Sequence, residues 1–211
     1  MEGRMESGRR ERKKQQTRQA ISDVATGLFL ERGFDAVTVA EVARAADVAV
    51  QTVFNHFPAK EDLFFDEHGW WLGPARAIQE APADADPVDV LEAHYLAEIR
   101  ERMEVGHLET WKQFVHTIDS SPALQARRRL NAAEMETLLT DALDERTEQH
   151  LMNRLIAAQY AAAQKVLEEE LMRVLPDDAS ADQVAAAQQD LEKSVAGVFD
   201  VLRNGLTATT G

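Results

Sequence analysis

The chain has no cysteine, which excludes a disulfide framework, a thiol nucleophile and a cysteine-ligated metal. It also has no long apolar run. Its longest stretch without a charged residue is the twelve residues from Val48 to Ala59, too short to span a bilayer. Met1-Glu2-Gly3-Arg4 leads into no apolar segment, so no secretory signal and a cytoplasmic location are expected. Catalytic signatures are missing as well: there is no Gly-x-Ser-x-Gly, no Gly-rich phosphate loop and no His-Glu-x-x-His. The adjacent carboxylates Asp66-Glu67 and Glu168-Glu169-Glu170 read as solvated helix faces, and His107 and His116, nine apart, do not have a tight metal-ligand spacing. The expectation is a non-enzyme with no cofactor and no metal.

What remains is the composition of a globular protein, 45% apolar and 28% charged over 211 residues. Its net charge of −14 is unevenly spread: residues 1–60 carry +2 and residues 61–211 carry −16. Seven bases lie between Arg4 and Arg18, against Glu6 and Glu11. A basic head on an acidic body suggests that only the head meets a polyanion, although a solvated tail would give the same count.

Helical periodicity runs through nearly the whole chain, punctuated by its six prolines and most of its glycines. The first helix is predicted over about 12–32, with Ile21, Val24, Ala25, Leu28 and Phe29 on one face and Gly33 as its cap. Thr38 and Glu41 have capping-box spacing and open a short helix with Val39, Val42, Ala43 and Ala46 inward. A second short helix is predicted over 50–57, stopped by Pro58, and a further one over 60–72, ending near Gly73-Pro74. After a linker at 81–87, helices are expected at 88–105, 107–119, 122–145, 148–175 and 181–207, with an uncapped break near 145–147. The fold class is all-α, with about nine helices: a basic N-terminal arm (1–12), a three-helix segment (13–60, with its pair of short helices at about 38–57) and a C-terminal helical bundle (61–211).

Two short helices braced by a longer one make a helix-turn-helix unit, whose second helix lies in the major groove. Thr17-Arg18-Gln19-Ala20-Ile21, Ala25, Leu28-Phe29, Gly33-Phe34, Thr38-Val39, Val42-Ala43 and Ala46-Asp47-Val48, and above all Thr52 to Leu63 (TVFNHFPAKEDL), resemble TetR-family transcriptional regulators over about 50 residues. The resemblance implies that Thr38 meets a phosphate, that Val50, Gln51, Thr52, Phe54, Asn55 and His56 face the groove, and that Lys60 holds the DNA backbone. It places Val48, Val53 and Phe57 in the core and turns Val50 outward, which periodicity alone leaves open. Arg44 and the arm bases Arg9, Arg10, Arg12, Lys13 and Lys14 complete the expected DNA contacts. Three positions depart from the family pattern. Asp47 replaces a glycine in the turn, Ala49 a capping serine and Phe54 a tyrosine. With no Arg or Lys between Val50 and Phe57, Gln51 and Asn55 suit adenine, and Val50 or Thr52 suits a thymine methyl.

The same resemblance implies that 13–60 is a helix-turn-helix DNA-binding domain and 61–211 an effector-binding and dimerisation domain, in a dimer that binds a palindromic operator, represses, and is released by a small effector; an activator, or a helical interaction module with a degenerate DNA head, is the alternative. Apolar stripes at three- and four-residue steps support helix pairing near the C-terminus: Ile156, Tyr160, Ala163 and Leu167, then Leu191, Val195, Val198 and Leu202. Each stripe faces either an internal core or a partner, and a four-helix dimer interface is the expected use. Trp70, Trp71, Tyr95, Met103, Trp111 and Phe114, with His94, are the expected effector-pocket residues. The expected partners are duplex DNA, a second copy and an unidentified effector, with no membrane.

Overall fold

A computed structural model describes residues 2–66, 69–104, 107–175 and 179–207, with side chains from residue 12 except 181 and 205–207. Ten helices and no strands occur among the described residues: α1 (Glu2–Arg32), α2 (Val39–Ala45), α3 (Val50–His56), α4 (Lys60–Phe65), α5 (Gly73–Glu80), α6 (Pro87–Arg102), α7 (His107–Ser120), α8 (Pro122–Asp144), α9 (His150–Val174) and α10 (Ala181–Thr207). The chain packs as two compact units. The first comprises Met1–Gly69 and Gln113–Arg127, the second Trp70–Lys112 and Arg128–Gly211. By packing, the first unit thus takes in a later segment that a division at residue 60 assigns to the body.

Two sequence-based boundaries need correction. The basic segment before residue 12 belongs to α1 rather than preceding it, so it is helical. The helix expected over 60–72 stops at Phe65, and a 3-10 turn at Trp70–Leu72 leads into α5. Gly73-Pro74 opens that helix instead of ending one, because proline is well suited to a first helical turn, where no intrahelical N–H is needed.

The first unit has an aromatic core. Ile21, Ala25 and Phe29 form the buried face of α1, and Gly33 (φ +82°) ends the helix by donating its N–H to the Phe29 carbonyl at 2.9 Å. Phe29 lies 5.0 Å from Phe34 and 6.1 Å from Phe64, while Phe64 stacks on Phe114 at 4.7 Å. Phe114, expected in an effector pocket, is therefore part of the core beneath the helix-turn-helix. Its spacing in α7 marks a buried face without saying what that face meets.

The second unit is built on α6, α9 and α10. Tyr95, Tyr160 and Phe199, one from each helix, meet with ring centres 6.1–6.4 Å apart. Asp86 caps α6, accepting from the Val88 and Asp89 amides at 2.8 and 3.2 Å. Arg146 pins the 81–87 linker, donating to the carbonyls of Ile78, Pro82 and Ala85. The break between α8 and α9 is closed by side chains: Asn153 donates to Asp144 at 2.7 Å, and His150 contacts the other Asp144 oxygen at 2.6 Å. These contacts hold the Asp144 carboxyl below its ordinary range, Asn153 contributing most.

The residues expected at the dimer interface are mostly internal. Tyr160, Ala163 and Leu167 on α9, with Leu191, Val195 and Leu202 on α10, are buried within the second unit, Val195 completely. Ile156 and Val198 are half-buried. This corrects the interface assignment, since a side chain wholly enclosed by its own subunit has no surface to offer a partner. A 3.6-residue stripe shows only that one face is covered.

The turn between α2 and α3 depends on one backbone conformation. Asp47 sits at φ +53°, and Val48 donates to the Ala43 carbonyl at 2.9 Å, closing a helix-ending turn of Schellman type. Aspartate tolerates this left-handed region better than most residues. Asp47→Val should therefore lower stability by about 1–2 kcal/mol, while Asp47→Gly should not. Urea unfolding of the two variants checks this, and equal midpoints would contradict it.

Candidate nucleic-acid interface

The sequence of α3 divides it into a locked face and an open one. Val53 and Phe57 are buried and Val48 is half-buried. On the opposite side Val50 and Phe54 are 41% and 42% exposed, beside exposed Gln51 and Asn55 and half-buried Thr52 and His56. Gln51 Nε2 donates to Asn55 Oδ1 at 3.1 Å, one turn along, so the two carboxamides are set side by side. Ala49 stands at the N-cap with no side-chain hydrogen bond, as its methyl group dictates.

A residue counted among the basic-segment charges turns out to hold this helix in place. Arg18 of α1 donates through Nη1 to the His56 carbonyl at the end of α3, and through Nε to Asp66 Oδ1 at 3.0 Å. Its Nη2 pairs with the same carboxylate, and its guanidinium lies 4.2 Å from the centre of the Phe57 ring. The sequence signal is the arginine at the start of the Thr17–Ile21 segment, but its partners are 38 and 48 residues away.

Two expected phosphate contacts are engaged within the protein. Lys60 Nζ donates to the Phe34 carbonyl at 2.6 Å and lies 4.0 Å from the centre of the Phe34 ring. Burial lowers its pKa below that of an ordinary lysine. Thr38 Oγ1 donates to Glu41 Oε2 at 2.8 Å and accepts from the Glu41 amide at 3.2 Å, closing a capping box. Lys60 is thus drawn inward, while Thr38 caps α2 and remains exposed. Among the others, Arg44, Arg12, Lys13 and Lys14 are exposed, and the side chains of Arg9 and Arg10 lie outside the described residues.

Residues 21–66 match the family model described as bacterial regulatory proteins, tetR family. Over these residues the chain is similar to the tetR family. It is similar to the HTH-type transcriptional regulator TcmR of Streptomyces glaucescens, 30% identical over 142 residues, covering 61% of this chain and 59% of that protein. It is also similar to the HTH-type transcriptional regulator AcrR of Shigella flexneri, 37% identical over 82 residues, covering 36% and 37% of the two chains. In both comparisons the match spans less than two thirds of the relative. Among solved structures, Salmonella enterica GusR superposes with a TM-score of 0.52 at 19% identity, covering 87% of this chain and 95% of that one, which shows a shared fold. Within the matched segment, α3 is the second of the two short helices.

The residues expected around an effector are only partly brought together. Tyr95, Met103 and Trp111 are buried in the second unit, where Trp70, Trp71 and His94 are half-buried. Trp70 and Trp71 make an edge contact at 6.2 Å. His94 Nε2 lies 3.5 Å from Glu98 Oε1, and a side chain at Gly73 would collide with it at 2.7 Å.

Glu41 gives the head a pH signature. Its hydrogen bond from Arg32, reinforced by the Thr38 amide and hydroxyl, holds its carboxyl at about 2, against 4.5 ordinarily. A depressed carboxyl stabilises the fold above the unfolded-state value, and that contribution is lost as pH falls through the folded one. The stability difference between the natural chain and Glu41→Gln should stay constant above pH 4.5 and shrink towards pH 2. Urea midpoints across that range test it, and a pH-independent difference would contradict it.

Proposed function

We propose that this chain is a homodimeric DNA-binding transcriptional repressor that occupies a two-fold symmetric operator and releases it when the second unit binds a small molecule. The observation that carries this reading is the open face of α3, where Val50, Gln51, Phe54 and Asn55 stand outward while Val53 and Phe57 are locked beneath them. A helix so presented fits the major groove, where carboxamides pair with adenine and small apolar groups meet thymine methyls. Exposed Arg44, Lys13 and Lys14 would supply the sequence-independent attraction to phosphates. The acidic composition of residues 61–211 leaves that task to the head.

The dimer face in this reading is the outer side of α9 and α10, opposite the buried stripes. Leu151, Leu155 and Val166 lie along α9 with exposed Ala158 and Ala162 between them. Val201 of α10 is 71% exposed, and Gly197, one turn earlier, has open space beside it. Apolar side chains left in water on two long helices are the material of a helix-pair interface, and small residues between them allow close approach. Two copies related by a two-fold axis then present two reading heads to two half-sites.

Selection from a random duplex pool by the full chain should enrich two-fold symmetric sites with half-site centres about one helical turn, or a small multiple of it, apart. Leu155→Glu should give monomers by light scattering, with unchanged helix content and a large loss of DNA affinity. A dimeric Leu155→Glu chain would refute this face, and a pool with no enriched sequence would refute the regulator reading.

A further inference from the structure

Val50 and Phe54 of α3 are 41% and 42% exposed, and of the first unit's described residues they are the two large apolar side chains left in water. They stand four residues apart, so they are neighbours on one face of the helix. Apolar groups left together on a surface mark places where another molecule is met. Gln51 and Asn55 form a second row, joined by the 3.1 Å hydrogen bond from Gln51 Nε2 to Asn55 Oδ1. Successive helical residues are about 100° apart, so an apolar row and an amide row run side by side over one turn.

The two rows have a specific chemical complement. The internal bond uses an N–H of Gln51 and the oxygen of Asn55, so an acceptor on Gln51 and a donor on Asn55 remain for an outside molecule. In the major groove the adenine of an A·T pair presents a donor at N6 and an acceptor at N7, and beside them lies the C5 methyl of thymine. A G·C pair presents two acceptors on guanine, a donor on cytosine and no methyl. There is no Lys, Arg, Asp or Glu in α3 with which to read guanine or cytosine.

The sequence leaves Val50 and Thr52 as partners for a thymine methyl. In the structure Thr52 is half-buried, whereas the Phe54 ring stands exposed beside Val50. That ring has no hydroxyl with which to bind a phosphate and offers apolar surface alone. We infer that Phe54, with Val50, is a specificity-determining residue that reads thymine in the major groove through its C5 methyl group. The inference rests on the reading of α3 as the helix that enters the groove, and it names the chemical group recognised there. Charge makes duplex DNA the occupant of this face: exposed Arg44, Lys13 and Lys14 belong to the same unit, and residues 1–60 carry +2 against −16 for the rest of the chain.

The test compares a duplex selected by the full chain with the same duplex in which deoxyuridine replaces every thymidine. The replacement removes the C5 methyl groups and leaves every hydrogen-bonding group in place. Burying one methyl favours binding by about fourfold, so methyls met in both half-sites should make the loss at least tenfold. Phe54→Ala should narrow the difference between the two duplexes several-fold, whereas Phe54→Tyr, which keeps the ring, should discriminate as the natural chain does. Val50→Ala, a smaller change in the same row, should narrow it as well. Equal binding of the two duplexes by the natural chain, or a selected site without thymine, would overturn the inference. Undiminished discrimination by Phe54→Ala would place the effect in the shape of the DNA and overturn the assignment to Phe54. A chain that selects no duplex refutes the proposed function as well; one that selects a duplex and ignores its methyl groups refutes this inference alone.

Discussion

The position of α3 depends on one guanidinium. Arg18 reaches from α1 to the His56 carbonyl, which the end of α3 leaves without an intrahelical donor, and to Asp66 just beyond α4. The same group lies over the Phe57 ring that closes α3. A seven-residue helix is too short to persist on its own propensity, and Ala49 gives it no N-terminal cap. Its stability must therefore come from the buried Val53 and Phe57 and from the Arg18 contacts at its far end. Charge-assisted bonds to a fixed carbonyl and carboxylate also set direction, which hydrophobic burial alone does not.

Lys60 follows a related design in the same unit. Its ammonium sits against the Phe34 ring and carbonyl, tying the start of α4 to the turn after α1. Glu41, held by Arg32 and Thr38, ties the start of α2 to the end of α1. The basic character of the head is thus divided between charges spent on its own architecture and charges left on the surface. In the second unit the charged groups near Tyr95 and Tyr160 are matched.

Much of the head was legible in the sequence. Gly33, the Thr38–Glu41 box, the turn at Asp47 and the burial of Val53 and Phe57 follow local rules of capping and backbone conformation, and the structure shows each of them. Val50 was ambiguous by periodicity, because positions 50, 53, 54 and 57 form one helical stripe; the family resemblance turned it outward, and its exposure agrees. The inward course of Lys60 was not legible, because a motif records residue type and not the direction of an ammonium. Residues 156–202 illustrate a more general limit. Apolar periodicity identified the covered faces of α9 and α10, but the exposed face carrying Leu151, Leu155, Val166 and Val201 shows no such continuity, since alanines, a glycine and charged residues interrupt it.

The claim that α3 is a reading helix positioned by Arg18 is tested most directly by the salt dependence of duplex affinity for Arg18→Gln beside the natural chain. A positioning arginine touches no phosphate, so affinity should fall by about tenfold or more while the slope of log K against log[salt] stays the same. Undiminished affinity would contradict the claim. So would a loss accompanied by a slope shallower by about 0.9 for each arginine removed, which would make Arg18 a phosphate contact.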